Sequence, residues 1–510
     1  MAKMRLQKAF LGMLVVAIIV SGLYIGAVVG LENLQAPQRW NFTLPNNQPQ
    51  ASSPVVGNGF VYVTTFENLY CLNASSGSIV WSIPKLFYGF TLANGFLYFG
   101  EQVQQASYSS IYHGTVYCLN ASDGTQVWTY TYGASFGNPV VAGNIAYTTG
   151  QNSPIYSSTP ENESGFIFAF NASTGSIIWN QTIGGVIDFA YPSGGLVLVE
   201  YHFEKYLAGF FYAEGVWALN SSTGAEIWNF PAGNYLNSVQ TIPAPISNGK
   251  MILSYTNNSV SGGGVYALEA STGSPLWTYK TAYGVNSLTA SNSMCFIVSQ
   301  NQVYALDAET GKVLWHYNAQ LDLGSLLLVK DYLYVGSPTG VYCFNANNGD
   351  LIWNYQASDY TYNQIQLLSA ENSSAINPTY ANGVIYFGWN GPNSYSPITQ
   401  HNFYAVDALN GMKMWSYPLE YTYVSSSAAN GTVYISGDFI TSQSPDYSGP
   451  GAVIALHPNA AFLLLTSLLS DLIIPLTIAL IIIIITTATL GILILKSKNQ
   501  LQSRTTEKLG

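Results

Sequence analysis

The chain has 510 residues, of which only 8% are charged, against about 25% in an ordinary soluble protein; Gly (47) and Tyr (38) are abundant instead. That composition excludes a coiled coil or a helical cytosolic enzyme. Lys and Arg total 15 against 25 Asp and Glu, net −10, which excludes a nucleic-acid binder because no basic stripe is left to neutralise phosphates.

The first element is apolar. Residues 1–8 carry Lys3, Arg5 and Lys8, and residues 9–30 contain no charge, a stretch long enough to cross a hydrocarbon core of about 30 Å with about 20 helical residues. Residues 1–30 therefore read as a cytoplasmic tail and signal-anchor helix. The competing reading is a cleavable secretory signal, whose apolar region usually spans only about 7–15 residues.

A repeat fills residues 38–458. Its clearest copy is Tyr304-Ala305-Leu306-Asp307-Ala308-Glu309-Thr310-Gly311-Lys312-Val313-Leu314-Trp315. The same Gly stands four residues before a Trp at Gly77/Trp81, Gly124/Trp128, Gly175/Trp179, Gly224/Trp228, Gly273/Trp277, Gly349/Trp353 and Gly411/Trp415. A period-2 strand ends at an Asp or Asn whose side chain can bond its own turn, Gly supplies the positive φ of a tight hairpin, and the return strand closes on a Trp able to wedge against the next unit. Between motifs lies a second hairpin around an Asn-Gly-like turn, as at Asn58-Gly59, Asn94-Gly95, Asn248-Gly249, Asn382-Gly383 and Asn430-Gly431. Four antiparallel strands per unit predict an all-β protein, a β-propeller of four-stranded blades.

Ala305, Asp307, Thr310, Gly311 and Trp315 form a pattern that resembles the repeat of the pyrroloquinoline-quinone-type β-propellers, the quinoprotein dehydrogenase-like family. The resemblance implies the fold. It leaves function open, because that family includes enzymes, assembly factors and binding modules. Trp40 looks like a fourth strand with no hairpin before it, and residues 451–457 look like a third strand with no Gly-x-x-x-Trp after it. The N-terminal strand is thus expected to complete the last blade and remove both sheet edges. Nine blades follow by unit count, with eight, the family's habit, as the alternative.

Length variation concentrates on the loops between second and third strands and on blade connections, at residues 101–114, 150–165, 201–215, 356–374, 389–402 and 438–451. They make a candidate ligand face of Tyr108, Tyr112, His113, Tyr156, Tyr206, Tyr360, Tyr362, Trp389, Tyr395 and Tyr447. Aromatic and amide-rich loops on a rigid scaffold suit a neutral glycan or an extracellular protein; the alternative is that they pack on one another.

Residues 472–495 form a second apolar span, followed by a basic tail, 496–510, with Lys496, Lys498, Arg504 and Lys508. The two tails hold seven bases and one acid, net +6, which leaves net −16 between them. The positive-inside bias places both tails in the cytoplasm and the propeller outside the plasma membrane, with membrane lipid as one partner. An Ile-rich span without a lipobox Cys points to an archaeal-like cell surface. The assembly propeller of the outer membrane, a relative by resemblance, is a lipoprotein, so this chain departs from it. Of ten Asn-x-Ser/Thr sequons, Asn162 and Asn372 lie in long exposed segments and are the glycosylation candidates; Asn73, Asn120, Asn171 and Asn220 occupy the Asx position that the hairpin needs in any case.

The resemblance also implies an alternative activity, a quinone-dependent dehydrogenase. Those enzymes use an adjacent Cys pair, a Ca²⁺ ion and an Asp base. Here no two Cys are adjacent: Cys71, Cys118 and Cys343 fill the slot held by Ala218, Ala267, Ala305 and Ala405 in other repeats, and Cys295 stands apart. No metal-ligand motif is present. A non-catalytic binding or assembly scaffold is therefore the leading expectation, with no cofactor, no catalytic residue and no metal ligand; pyrroloquinoline quinone with calcium belongs to the dehydrogenase alternative, and a polysaccharide-acting enzyme is a weaker one.

Overall fold

The computed structural model describes residues 38–45, 53–65, 67–85, 89–101, 114–133, 135–151, 164–207, 210–233, 249–257, 262–357, 377–388, 401–419, 421–440 and 448–456, with isolated helical positions at 20–21 and between 478 and 492. It is a nine-bladed β-propeller. Counted in chain order, the blades cover residues 55–83, 91–132, 135–184, 186–233, 250–281, 287–318, 326–356, 379–419 and 421–456, the last completed by Gln38–Thr43. Sheets run in sequence order with antiparallel neighbours. In blade 3 the first strand is split into Ser135–Phe136 and Val140–Ala142, both paired to Ile145–Gln151, and blade 5 has three described strands.

Local chemistry sets both hairpins. The first turns on two residues of positive φ, Asn58 (54°) and Gly59 (82°), the type I′ geometry whose twist matches that of its strands. The second is an Asx turn. Asp307 Oδ1 accepts from the backbone N–H of Glu309 (3.1 Å) and Thr310 (2.7 Å) and from the Thr310 hydroxyl (2.8 Å). Gly311 then takes φ 69° and donates its N–H to the Asp307 carbonyl at 2.8 Å. The return strand carries a one-residue bulge, since Ala305 faces Trp315 but Leu306 faces Val313. The extra residue turns Val313 and Leu314 both outward and brings Trp315 back to the buried side.

The Trp of a return strand locks onto the next blade. The Trp128 ring packs on Gly175 so closely that an added Cβ would lie 2.6 Å from it, and Trp40 covers Gly77 and Trp315 covers Gly349 at the same distance. The indole N–H also donates forward: Trp128 to the Ala172 carbonyl (2.9 Å), Trp179 to Ser221 (3.0 Å), Trp228 to Ala270 (2.8 Å) and Trp315 to Ala346 (2.9 Å). A second-strand Tyr donates to the same oxygen, as Tyr98 does to Ala172 (3.1 Å) and Tyr147 to Ser221 (3.0 Å). One carbonyl with two lone pairs thus takes two donors from the preceding blade. The apolar core is correspondingly a set of layers between blades; one joins Phe296, Val303 and Trp315 of blade 6 to Leu333, Val335 and Phe344 of blade 7.

Trp277, like Trp81, is less buried than Trp128, Trp179, Trp228 and Trp315. It covers Gly311, where an added Cβ would lie 2.5 Å from its ring, and donates to the Ala308 carbonyl at 3.1 Å. It nevertheless remains only half-buried at the edge of its core layer. Its blade places Ile252 opposite Ala267, which in turn faces Trp277, in the slot that holds Tyr98 or Tyr147 in blades 2 and 3 but Leu198 and Phe296 in blades 4 and 6. Ile252, Leu198 and Phe296 have no hydroxyl to donate, so the paired donor is absent in blades 4, 5 and 6.

The ring closes as the orphan strand predicts. Gln38–Thr43 pairs with Ser448–Leu456, Trp40 opposite Ala455. Trp40 and Tyr434 of blade 9 then both donate to the Ala74 carbonyl of blade 1, at 3.0 and 3.2 Å. The count is nine, not eight. First strands of successive blades approach one another, with Asn94 donating to the Gly143 carbonyl (2.9 Å) and Leu326 N–H to the Ser287 hydroxyl (3.0 Å), so they line the middle and the Trp-bearing fourth strands form the outer rim.

The chain separates into two compact units. Gln38–Phe403 with Pro418–Leu456 holds the strands described above except those parts of blade 8 that lie in Tyr404–Tyr417. The other comprises Met1–Pro37, Tyr404–Tyr417 and His457–Gly510. Within it, the hairpin repeats the Asx geometry, with Asp407 Oδ1 accepting from Leu409 and Asn410 N–H at 2.9 and 3.1 Å. Trp415 of this unit differs in burial from the other return-strand Trp residues. It is 0% exposed, whereas Trp128, Trp228 and Trp315 keep 7%, 6% and 9%. Thr486 and Thr489 donate to the Ile482 and Ile485 carbonyls four residues back, as in a helix. Among the described residues no helix is long and apolar enough to cross a membrane, and the bulk of the expected spans, 1–30 and 472–495, lies outside them.

Candidate ligand face

Where both hairpins of a blade are described they share one face, and the turns between second and third strands lie on the opposite face with the blade connections. That loop face is uneven. In blades 6 and 7 the turn is two residues, Gln300-Asn301 between Met294–Ser299 and Gln302–Asp307, and Pro338-Thr339 between Tyr332–Ser337 and Gly340–Asn345. In blade 1 it is four residues, closed by the Thr65 hydroxyl, which accepts from Asn68 N–H at 2.9 Å. Blades 2, 3, 8 and 9 carry insertions whose interiors, 102–113, 152–163, 389–400 and 441–447, lie outside the described residues.

Blade 4 departs from expectation. Residues 201–215, read from sequence as an insertion loop, continue the sheet instead: Leu196–Leu207 and Phe210–Asn220 form one long ribbon in which Leu207 still faces Phe210. Alternating residues on both arms allow the ladder to run on past the blade. Tyr206 belongs to this ribbon by its backbone, and its side chain lies outside the described residues. Tyr108, Tyr112, His113, Tyr156, Tyr360, Tyr362, Trp389, Tyr395 and Tyr447 also lie outside them, as do Asn162 and Asn372. Tyr201, at the root of the ribbon, is buried and donates to Asn229 Oδ1 at 3.1 Å. Burial pushes its phenol up, the mark of a packing residue.

One polar cluster at the root of the loop face went unread in the sequence. Lys85, just past the fourth strand of blade 1, reaches Glu101 at 3.2 Å, hydrogen-bonds the Tyr117 hydroxyl and lies 3.8 Å over the Tyr117 ring. Tyr117 donates to the other carboxylate oxygen of Glu101 at 3.1 Å. Glu101 takes Phe136 N–H on its backbone carbonyl at 3.2 Å, so this half-buried cluster ties blades 1, 2 and 3 beneath the 102–113 insertion. Its one sequence signal is rarity, for Lys85 is among only eight bases between the tails.

The thiols occupy the slots read from the repeat. Cys71, Cys118 and Cys343 face Trp81, Trp128 and Trp353, as Ala305 faces Trp315. All four Cys are free and fully buried, and burial pushes each thiol up to about 12, far from a reactive thiolate at neutral pH. His316 stacks on Tyr304, ring centroids 6.1 Å apart. Among the described residues no three His, Cys, Asp or Glu converge to hold a metal ion. A quinone centre with calcium, which the family resemblance raises, needs adjacent thiols and a carboxylate set; the four thiols sit in blades 1, 2, 6 and 7, and the described residues do not fit that group.

The family model described as outer membrane protein assembly factor BamB matches residues 26–87, 89–184, 112–262 and 212–459. The chain belongs to this family of PQQ-type β-propeller repeat proteins. Solved structures of similar fold include BamB from Moraxella catarrhalis (16% identity, 69% of this chain and 97% of that one, TM-score 0.42). A europium-containing methanol dehydrogenase (13%, 84% and 95%, TM-score 0.46) and the quinohemoprotein alcohol dehydrogenase from Comamonas testosteroni (13%, 83% and 78%, TM-score 0.45) are also similar. At these identities the likeness concerns fold alone. Comparison with the curated proteins finds no match.

Proposed function

We propose that the protein is a membrane-anchored exterior propeller that binds a protein or glycan on its loop face and performs no catalysis. The observation that carries this reading is where the chain enters and leaves the ring. Gln38 and Leu456 are register partners, and both stand on the face of the tight hairpins. Apolar segments 9–30 and 472–495, each with bases on its outer flank, would then both attach on that side. The face with long aromatic insertions would point away from the bilayer, where a ligand can reach it. Membership of a family named for an assembly factor supports a scaffold, and thiols held protonated in the core support binding over redox chemistry.

The test uses the full-length chain in native membranes. Partners are captured by crosslinking on intact cells, for the wild type and for variants with 102–113 or 152–163 replaced by short Gly-Ser linkers. Loss of the same partners in a variant that still melts like wild type is the expected result. Unchanged capture would remove the loop face from the reading. Tight binding of pyrroloquinoline quinone with Ca²⁺, together with dye-linked alcohol or sugar oxidation, would replace it with the dehydrogenase.

A further inference from the structure

The hairpins between third and fourth strands differ around the ring in a way the turn does not explain. Blades 1 to 4 open this turn with Asn73, Asn120, Asn171 and Asn220, each with Ser two residues on: Ser75, Ser122, Ser173 and Ser222. Blades 5 to 8 use Glu269, Asp307, Asn345 and Asp407 at the same place, and none of the four completes a sequon, since acids stand at three and Asn345 is followed by Asn347. A carboxylate builds the turn equally well, because Asp307 and Asp407 accept the same backbone N–H groups. The turn therefore requires neither an amide nor a hydroxyl two residues on.

The geometry supplies a second, independent observation. Ser75, Ser122 and Ser173 hydroxyls donate to Asn73, Asn120 and Asn171 Oδ1 at 2.7, 2.7 and 2.8 Å, and Asn220 Oδ1 accepts Ser222 N–H at 3.0 Å. All the hydrogen bonds seen for these four carboxamides are made by Oδ1; among the described residues none engages their Nδ2. The four Asn are half-buried and the four Ser exposed. Donors on Oδ1 stabilise the negative charge that this oxygen gains when an Nδ2 proton leaves. Asn430 is the contrast. Its sequon ends at Thr432, which is 2% exposed, so its hydroxyl is beyond the reach of a modifying enzyme.

We propose that Asn73, Asn120, Asn171 and Asn220 are N-glycosylated, giving a row of glycans over four consecutive blades on the tight-hairpin face. The proposal rests on the exterior placement above. The donor is a lipid-linked oligosaccharide bearing a phosphate or pyrophosphate, presented by a membrane oligosaccharyl transferase. Nδ2 attacks the anomeric carbon; the C–N bond forms as the C–O bond to phosphate breaks, the lipid phosphate leaves with that electron pair, and one Nδ2 proton passes to a base of the transferase. The glycans then cover the face that carries the chain ends.

The test is glycopeptide mass spectrometry on full-length protein from the membranes of the cells that make it, beside Asn73→Asp and Asn171→Asp variants that keep the Oδ1 acceptor. Expected are a glycan mass on all four hairpin peptides, none on the Asn430 peptide, and loss of one site per variant with unchanged melting. A membrane-impermeant lysine reagent applied to intact cells separates the two failures. Labelled protein whose four hairpins are bare, or whose glycans sit only on Asn162, Asn372 or Asn430, overturns this proposal and leaves the exterior reading standing. Protein neither labelled nor glycosylated overturns both.

Discussion

The two faces of the propeller obey different rules. On the tight-hairpin face the described third-to-fourth-strand turns of blades 1 to 7 share one local chemistry and one inter-blade lock, so Trp128 on Gly175 and Trp315 on Gly349 have the same 2.6 Å approach although they lie half a ring apart. On the loop face, blade 6 turns in two residues where blade 4 extends a ribbon to Leu207 and Phe210. The difference shows which surface carries the fold and which is left free to vary. A segment that seats the neighbouring blade cannot change length without opening a layer of core, whereas a loop that leaves the ladder and returns to it costs little more when it is longer.

The strongest way to break this contrast is to remove a lock. Trp128→Ala should cost about 3–5 kcal/mol, the range for a buried aromatic truncated to Ala, read by urea or thermal unfolding. Gly175→Ala, which adds a Cβ at φ 72° against the same indole, should cost about 1–3 kcal/mol from overpacking. Combined, the two should cost less than their sum, since the clash vanishes with the ring. Strict additivity would show that the Trp does not seat on that Gly.

A pH series sharpens the contrast next. The thiols of Cys71, Cys118, Cys295 and Cys343 rise from 9.0 to about 12 through burial. Between those values the folded state holds protons that the unfolded state has lost. Their contribution is complete below about pH 9 and falls away as pH climbs to about 12. On the acid side, hydrogen bonds from Thr125 and Thr310 hold the Asp123 and Asp307 carboxyls below their usual range, a contribution lost as pH falls. Both groups are exposed, so the alkaline edge of stability should be steeper than the acid edge, and a propeller that unfolds first in acid, near pH 3, would contradict this.

The smallest effect belongs to the loop face. Replacing 152–163 with a short linker should shift stability by no more than about 0.5 kcal/mol, as for surface changes away from packing features. A larger loss by thermal melting would mean that this insertion belongs to the core.

Eight Gly-x-x-x-Trp matches with the orphan Trp40 were enough to anticipate nine blades, the closure by Gln38–Thr43 and the small buried slot of Cys118. Each of these is repeated or local, so the same short-range physics writes the same residues many times. The same repetition hides differences of environment: nothing within the motif marks Trp277 as half-buried or Trp415 as wholly buried, because a ring's exposure depends on what the neighbouring chain supplies. The Lys85–Glu101–Tyr117 cluster was not legible, because its members come from two blades and belong to no repeat. The blade 4 ribbon was misread as a loop, for its alternation carries no turn signal until the segment around Gly209. The candidate ligand residues named from the insertions mostly lie outside the described residues.

The sequence by itself determined the blade and its two turns, since Asx acceptors, positive-φ glycines and strand alternation act over a few residues, while the choice of nine blades over eight waited for the sheets themselves. Only the tertiary structure decided that one carbonyl, such as that of Ala172, takes the Tyr98 and Trp128 donors together, and that Gln38 meets Leu456 where the chain enters and leaves. Those facts depend on groups far apart in sequence, brought together only when neighbouring blades bury their faces against each other and the ring is complete.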